Sequence, residues 1–310
     1  MPARHCHSSA LPAVRKCPAL AFALALAAGC SGQQVLNTLT PSSGYAFASA
    51  VVYDPERRLT LDVYTPVNAK AHAVVVFFYG GRWREGAPAD YRFVGQALAS
   101  QGFVAVLPDY RHYPSVRFPE FVHDAARAVH WTQQQIVRYG GDPEKIFVMG
   151  HSSGAHLAAM LALNPEFLAR EGLARSAVKG MIGLAGPYDF LPLTEPDLRD
   201  MFGPPERYEL SQPVTYADGD NPPLLLLHGE DDRTVRVRNT RNLAAAVAKA
   251  GGAVETVIYP QMSHAWLIAS LAAPLRASSD VLPQIARFIR ERSAAPQTTR
   301  IVGTPTGERP

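Results

Sequence analysis

The sequence predicts an α/β domain with a mostly parallel central sheet and helices on both faces. Three observations carry this. Apolar, β-branched runs of strand length recur along the chain, amphipathic windows of helix length separate them, and glycine, proline and aspartate punctuate the boundaries. A parallel strand is buried on both faces, so it reads as an unbroken apolar run rather than an alternation.

Taken in order, LTLDVYT (59–65) alternates with period two, which predicts a half-buried strand. HAVVVFFYGG (72–81) is a continuous apolar run ending in glycines, and GFVAVLPDY, KIFVMGH, VKGMIGLAG, PPLLLLHGE and VETVIYP repeat that pattern. Helical windows fall between them at 91–100, 118–138, 155–163, 237–250 and 282–292. Together these define one domain over 44–294, preceded by a linker at 30–43. With 310 residues, 47% of them hydrophobic, the chain can bury one core of this size but has little left for a second. Residues 186–222 contain seven prolines and are long for a connection, which predicts a small insertion over the carboxyl edge of the sheet, where it would shape a pocket. The tail from 295 to 310 has no periodicity and reads as disordered.

Composition excludes some functions. The net charge is only +3, and the basic residues form no run interleaved with aromatics, so nucleic acid is not an expected partner. Cys6, Cys17 and Cys30 all precede the domain, which therefore has no internal disulfide. Arg4, Arg15 and Lys16 precede the apolar run ALAFALALAAG, giving residues 1–29 the form of a secretory signal. The run ends in AAGCSG, which resembles the lipobox of bacterial lipoproteins, with Ala27 where leucine is usual. That resemblance implies lipidation of Cys30 and attachment in the bacterial cell envelope. The alternative is an ordinary cleaved signal in which Cys30 is incidental; both readings export the protein.

Ligands of such sheets bind beyond the carboxyl ends of the strands, and the chemistry-bearing residues follow strands here. Gly150-His151-Ser152-Ser153-Gly154 fits G-x-S-x-G between the strand KIFVM and the helix AHLAAMLAL. In that context a sharp strand-to-helix turn presents the serine hydroxyl at the top of the sheet, and the helix N-terminus adds N–H donors near a developing oxyanion. A serine needs a base and an orienting acid. Two aspartates, Asp231 and Asp232, end one buried strand, and His264 ends the next. His264 lies 32 residues beyond Asp232, room for one helix and one strand, and no histidine follows it. His112, His123, His130, His151 and His228 precede or miss the order Ser, acid, His and read as structural. No histidine pair sits with a carboxylate at metal-ligand spacing, and no cofactor is implied.

At this point the chain resembles the α/β-hydrolase superfamily, whose acid loop commonly reads H-G-x-x-D-x-x-V; His228, Gly229, Asp232 and Val235 match it. The resemblance places the acid at Asp232, with Asp231 as the alternative. FFYGGRWREG lies where the superfamily carries an H-G-G-G type motif, with Tyr79 in place of histidine and Arg82 in place of the last glycine. By that resemblance the oxyanion donors are the amides of Gly81, Arg82 and Ser153. LPDYRHYP and the lead-in YGGDPEKIFVMGHSSGAHLA are similar to bacterial carboxylesterases related to hormone-sensitive lipase. They are similar also to feruloyl and acetyl-xylan esterases, prenylcysteine methylesterases and kynurenine formamidases. Asp109, Arg111 and Asp124 are expected to form a structural ion-pair set. Tyr188 and Asp189 either line the acyl pocket or pack. The implied activity is a serine carboxylesterase acting on small-molecule esters. The rivals are an amide hydrolase of the formamidase type and a surface lipoprotein that keeps the fold without the catalysis.

Overall fold

The computed structural model describes residues 32–67 and 71–294. The signal segment, Cys30 and the tail from 295 lie outside the described residues. Eight strands form one sheet: β1 (Tyr45–Asp54), β2 (Leu59–Pro66), β3 (His72–Phe78), β4 (Val104–Pro108), β5 (Gly141–His151), β6 (Val178–Leu184), β7 (Leu224–Gly229) and β8 (Val254–Tyr259). Their spatial order is β1-β2-β4-β3-β5-β6-β7-β8. β2 is antiparallel to both β1 and β4, and all the remaining pairs are parallel.

The predicted apolar runs form the middle of the sheet. β4 and β7 are buried at every position, as are Ile146 to His151 of β5. Burial this complete requires cover on both faces, which the helices supply. They are α1 (Gly32–Thr38), α2 (Arg92–Ser100), α3 (Glu120–Gln135), α4 (Ser153–Leu163), α5 (Pro165–Arg170), α6 (Pro196–Phe202), α7 (Arg238–Lys249), α8 (His264–Ala269) and α9 (Val281–Ala294). α4 is apolar all round, with every residue buried, as expected of a helix enclosed by sheet and neighbouring helices.

Several elements depart from the sequence reading. β1 was not expected; it is an edge strand with Phe47 and Val52 exposed and two register irregularities against β2, so it shows no clean alternation. Residues 32–38, within the segment read as a linker, form α1. The 186–222 insertion contains α6 and two 3-10 turns. The expected set of Asp109, Arg111 and Asp124 divides in two. Arg111 makes a bidentate pair with the fully buried Asp124, to which Arg127 adds a second guanidinium, whereas Asp109 accepts from the Tyr79 hydroxyl and the Tyr110 amide.

Candidate active site

Ser152 sits between β5 and α4 with φ 55° and ψ −125°, a conformation L-residues rarely adopt. Its amide donates to Leu184 O at 2.9 Å, and its carbonyl accepts from Ala155 and His156. The two glycines of the motif make this turn sterically feasible. A Cβ on Gly150 would lie 2.2 Å from Gly154 O, and one on Gly154 would lie 2.0 Å from Phe78 O, both impossible contacts. Ser153, as the first residue of α4, has an N–H with no intrahelical acceptor.

Asp232 and His264 are brought together from the ends of β7 and β8. His264 Nδ1 donates to Asp232 Oδ2 at 2.6 Å. The other carboxylate oxygen accepts from the amides of Thr234 and Val235, each at 2.8 Å. Asp231 is exposed and makes no side-chain contact with His264. Burial raises the Asp232 pKa, but hydrogen bonds from His228, His264 and the Val235 amide outweigh it and hold the carboxyl well below the usual carboxylate range. The carboxylate therefore stays ionised and the imidazole keeps its Nδ1–H tautomer, with Nε2 free to take a proton. Ser263 caps α8 by accepting from the Trp266 amide, which fixes the backbone that carries His264.

Two histidines that read as structural contact this pair, and a third, His156, which the sequence reading did not single out, lies one turn beyond Ser152. His228 Nε2 lies 3.2 Å from Asp232 and 2.8 Å from Val235 O, while its Nδ1 meets Thr240 Oγ1 at 2.8 Å, so it braces the acid loop. Its signal was present in the H-G-x-x-D spacing, which returns the chain to the end of its own strand. His151 directly precedes Ser152, and its Nε2 meets His264 O at 3.2 Å. Burial, reinforced by the neighbouring His264, pushes the His151 pKa down to about 3, so it is neutral. His156, one turn into α4, joins Trp83 Nε1 at 3.3 Å to Ser211 O at 2.8 Å, tying the loop after β3 to the insertion.

That loop runs beside Ser152: a Cβ on Gly80 would fall 3.0 Å from the serine Cβ. Gly81 O accepts from the amides of Arg84 and Glu85. Arg82, standing where the superfamily motif has glycine, adopts the left-handed φ of 54° that glycine would take. Its guanidinium is held by Glu195 at 2.7 Å and Asp197 at 3.2 Å, both from the insertion. Among the described residues, the Gly81 and Arg82 amides donate to no other protein group.

Two cavities, of ≈ 420 and ≈ 620 Å³, open on Ser152. His264 lines the larger. Ser152 Oγ and His264 are not joined by a hydrogen bond among the described residues, and bonds of this type tighten when substrate binds. Tyr188 is fully buried and packs on Gly183 and Gly186 instead of lining either cavity, and Asp189 accepts from Asn242. Among the described residues no cluster of His, Cys, Asp and Glu is placed to hold a metal ion.

Residues 61–247, from within β2 to within α7, match the BD-FAE family. The chain belongs to the BD-FAE family. Isoprenylcysteine alpha-carbonyl methylesterase of Arabidopsis thaliana is 30% identical to this BD-FAE member over 257 residues, 75% of this chain and 59% of the relative. Esterase LipQ of Mycobacterium tuberculosis is 30% identical over 220 residues, 66% of this chain and 52% of the relative. The chain thus spans little more than half the length of these curated relatives. Among solved structures, the apo form of Thermogutta terrifontis esterase 2 matches with a TM-score of 0.69 at 28% identity, covering 83% of this chain and 98% of that one. That esterase also has a structure phosphonylated by sarin. The sheet order and these neighbours identify the α/β-hydrolase fold in this BD-FAE protein.

Proposed function

We propose that this BD-FAE protein is a serine carboxylesterase working through an acyl-enzyme on Ser152. The observation that carries the reading is the 2.6 Å His264–Asp232 hydrogen bond, in a cavity shared with a serine held on a strained turn. In this reading His264 Nε2 removes the Ser152 proton as Oγ attacks the ester carbonyl. Asp232 stabilises the imidazolium that forms, without itself becoming protonated. The amides of Gly81, Arg82 and Ser153 take the oxyanion. Such donors are worth about 3 kcal/mol each when preorganised, and the free N–H groups of Gly81 and Arg82 support the assignment. His264 then protonates the departing alcohol, and water repeats the sequence on the acyl-enzyme. None of these steps calls on a metal or cofactor.

The names of the relatives, methylesterase and esterase, support ester over amide chemistry. The test is fluorophosphonate labelling of wild type and Ser152→Ala, followed by hydrolysis of a p-nitrophenyl ester series and a matched formanilide. Labelling confined to wild type, with ester turnover exceeding formanilide turnover, is expected. A folded wild type that neither labels nor turns over would overturn the reading. The same proposal includes export and lipid attachment through Cys30, supported by AAGCSG after the apolar run. Metabolic labelling with a fatty acid, lost in Cys30→Ser, is the expected result; equal labelling or none refutes the anchor.

A further inference from the structure

The two cavities meet at Ser152, and Arg82 and Thr234 also border both. If the esterase reading is right, on which this inference rests, the reaction itself assigns them. The group that receives a proton from His264 is the departing alcohol oxygen, so the alcohol must lie on the His264 side of the serine. His264 lines only the ≈ 620 Å³ cavity, which is therefore the alcohol side. The ≈ 420 Å³ cavity, walled by Phe190, Leu193 and Leu198 of the insertion, is left for the acyl group.

The alcohol cavity is the larger of the two, with an apolar side formed by Leu36, Tyr91, Phe93, Trp266 and Ile268 beside the charged side chains of Arg82, Glu85 and Asp90. Trp266, two residues beyond His264, is 39% exposed, a large aromatic surface left open to solvent. A methyl leaving group would fill little of this space and bury almost none of that surface. Two walls come from outside the family-matched region, α8 with Trp266 and Ile268, and α1. α1 contributes Gly32, Gln33 and Leu36, and Leu36 is only 5% exposed. The helix is docked by specific bonds. Asn37 Nδ2 donates to Ala89 O at 2.8 Å and its Oδ1 accepts from Phe93 N at 3.2 Å.

We propose that this protein selects esters whose alcohol carries a large apolar, aryl-sized group, and that α1 is the wall that sets this selectivity. Each additional methylene buried in such a cavity is worth a factor of about four in kcat/KM, so an aromatic ring commands at least about tenfold.

The experiment compares methyl, benzyl and 2-naphthylmethyl butyrates, primary-alcohol esters of one acid with similar leaving groups, by titrating released acid. Wild type is expected to favour the two aryl esters over methyl by at least about tenfold in kcat/KM. Leu36→Trp, which adds bulk to the cavity wall, should lower kcat/KM for the 2-naphthylmethyl ester relative to methyl butyrate by about tenfold or more. Asn37→Ala, which loosens α1 without entering the cavity, should erode the aryl preference while leaving the acyl chain-length profile on methyl esters unchanged. A wild type indifferent to the alcohol, or variants that lower all three esters equally, would overturn the proposal. If methyl butyrate is turned over and Ser152 labels, that failure belongs to this inference alone. If no ester reacts and Ser152 does not label, the esterase reading fails with it.

Discussion

Removing the Ser152 side chain should affect stability in opposite ways according to what replaces it. Ser152 has φ 55° with ψ −125°, outside the left-handed helical well and in a region open mainly to glycine. Holding a residue with a Cβ there costs about 1–3 kcal/mol. Ser152→Ala deletes the hydroxyl and keeps that strain, whereas Ser152→Gly deletes the hydroxyl and relieves it. Glycine returns about 0.5–1 kcal/mol through the greater freedom of the unfolded chain, which leaves a net advantage of about 0.5–2 kcal/mol over alanine. The side chain is only half-buried, so losing its Cβ sacrifices little packing. For a domain of this size each kcal/mol moves the melting temperature by about 2–4 °C, so Ser152→Gly should melt about 1–8 °C above Ser152→Ala. Both variants should be inactive, and because both lack Oγ its contacts cancel in the comparison. Matched thermal and urea denaturation would settle it. A glycine variant no more stable than the alanine variant would refute the idea that the turn stores strain.

Four further outcomes are expected. Asp232→Asn should lower kcat by about three to four orders of magnitude, because an amide at that position favours the wrong His264 tautomer; pre-steady-state acylation measures it. The folded Asp232 pKa is depressed below its unfolded value of about 3.9, so ionisation of this group stabilises the fold above about pH 4, and that contribution fades as pH falls. The stability gap between wild type and Asp232→Asn should therefore narrow on acidification, and a gap independent of pH would contradict it. Asp124→Ala leaves the Arg111 and Arg127 guanidiniums without their buried carboxylate and should cost about 3–5 kcal/mol in denaturant titrations, with activity per folded molecule retained. His151→Phe removes the contact with His264 O from a ring that is neutral down to about pH 3. It should cut kcat by about tenfold to a hundredfold through misplacement of the base, without moving the pH limits of activity.

The buried parallel strands were legible because burial on both faces leaves an unbroken apolar record, as in LLLLHG of β7. β1 was not, since an exposed edge strand with bulges has neither a run nor a period. α1, α6 and α8 are six or seven residues long, under two turns, and leave no helical repeat to read. Ser152 and Asp232 could be read because each follows a strand in a motif whose glycines leave no room for a Cβ, and His264 because it is the last histidine and follows the next strand. The partnership of His228 left its trace in the H-G-x-x-D spacing, whereas those of His151 with His264 and of His156 with Trp83 and Ser211 could not be read, since each joins segments far apart in sequence.

The same division runs through the site itself. Groups of the proposed chemistry sit on or just beyond the ends of the readable strands, while the walls that would choose the substrate come from α1 and α8, which left no repeat, and from the proline-rich insertion, whose place was legible but whose internal turns were not. Arg82 joins the two. Its backbone takes the turn geometry that glycine takes in the superfamily motif, yet its side chain reaches out of the turn to Glu195 and Asp197. Each of these exposed ion pairs is worth no more than about 1 kcal/mol, but Arg84 shares Asp197, so the three charges beside Arg82 form a network rather than a lone pair. With glycine at this position the loop would carry no such tether. With arginine, the insertion that lines the smaller cavity is tied by ion pairs to the loop whose amide the proposed reading assigns to the oxyanion.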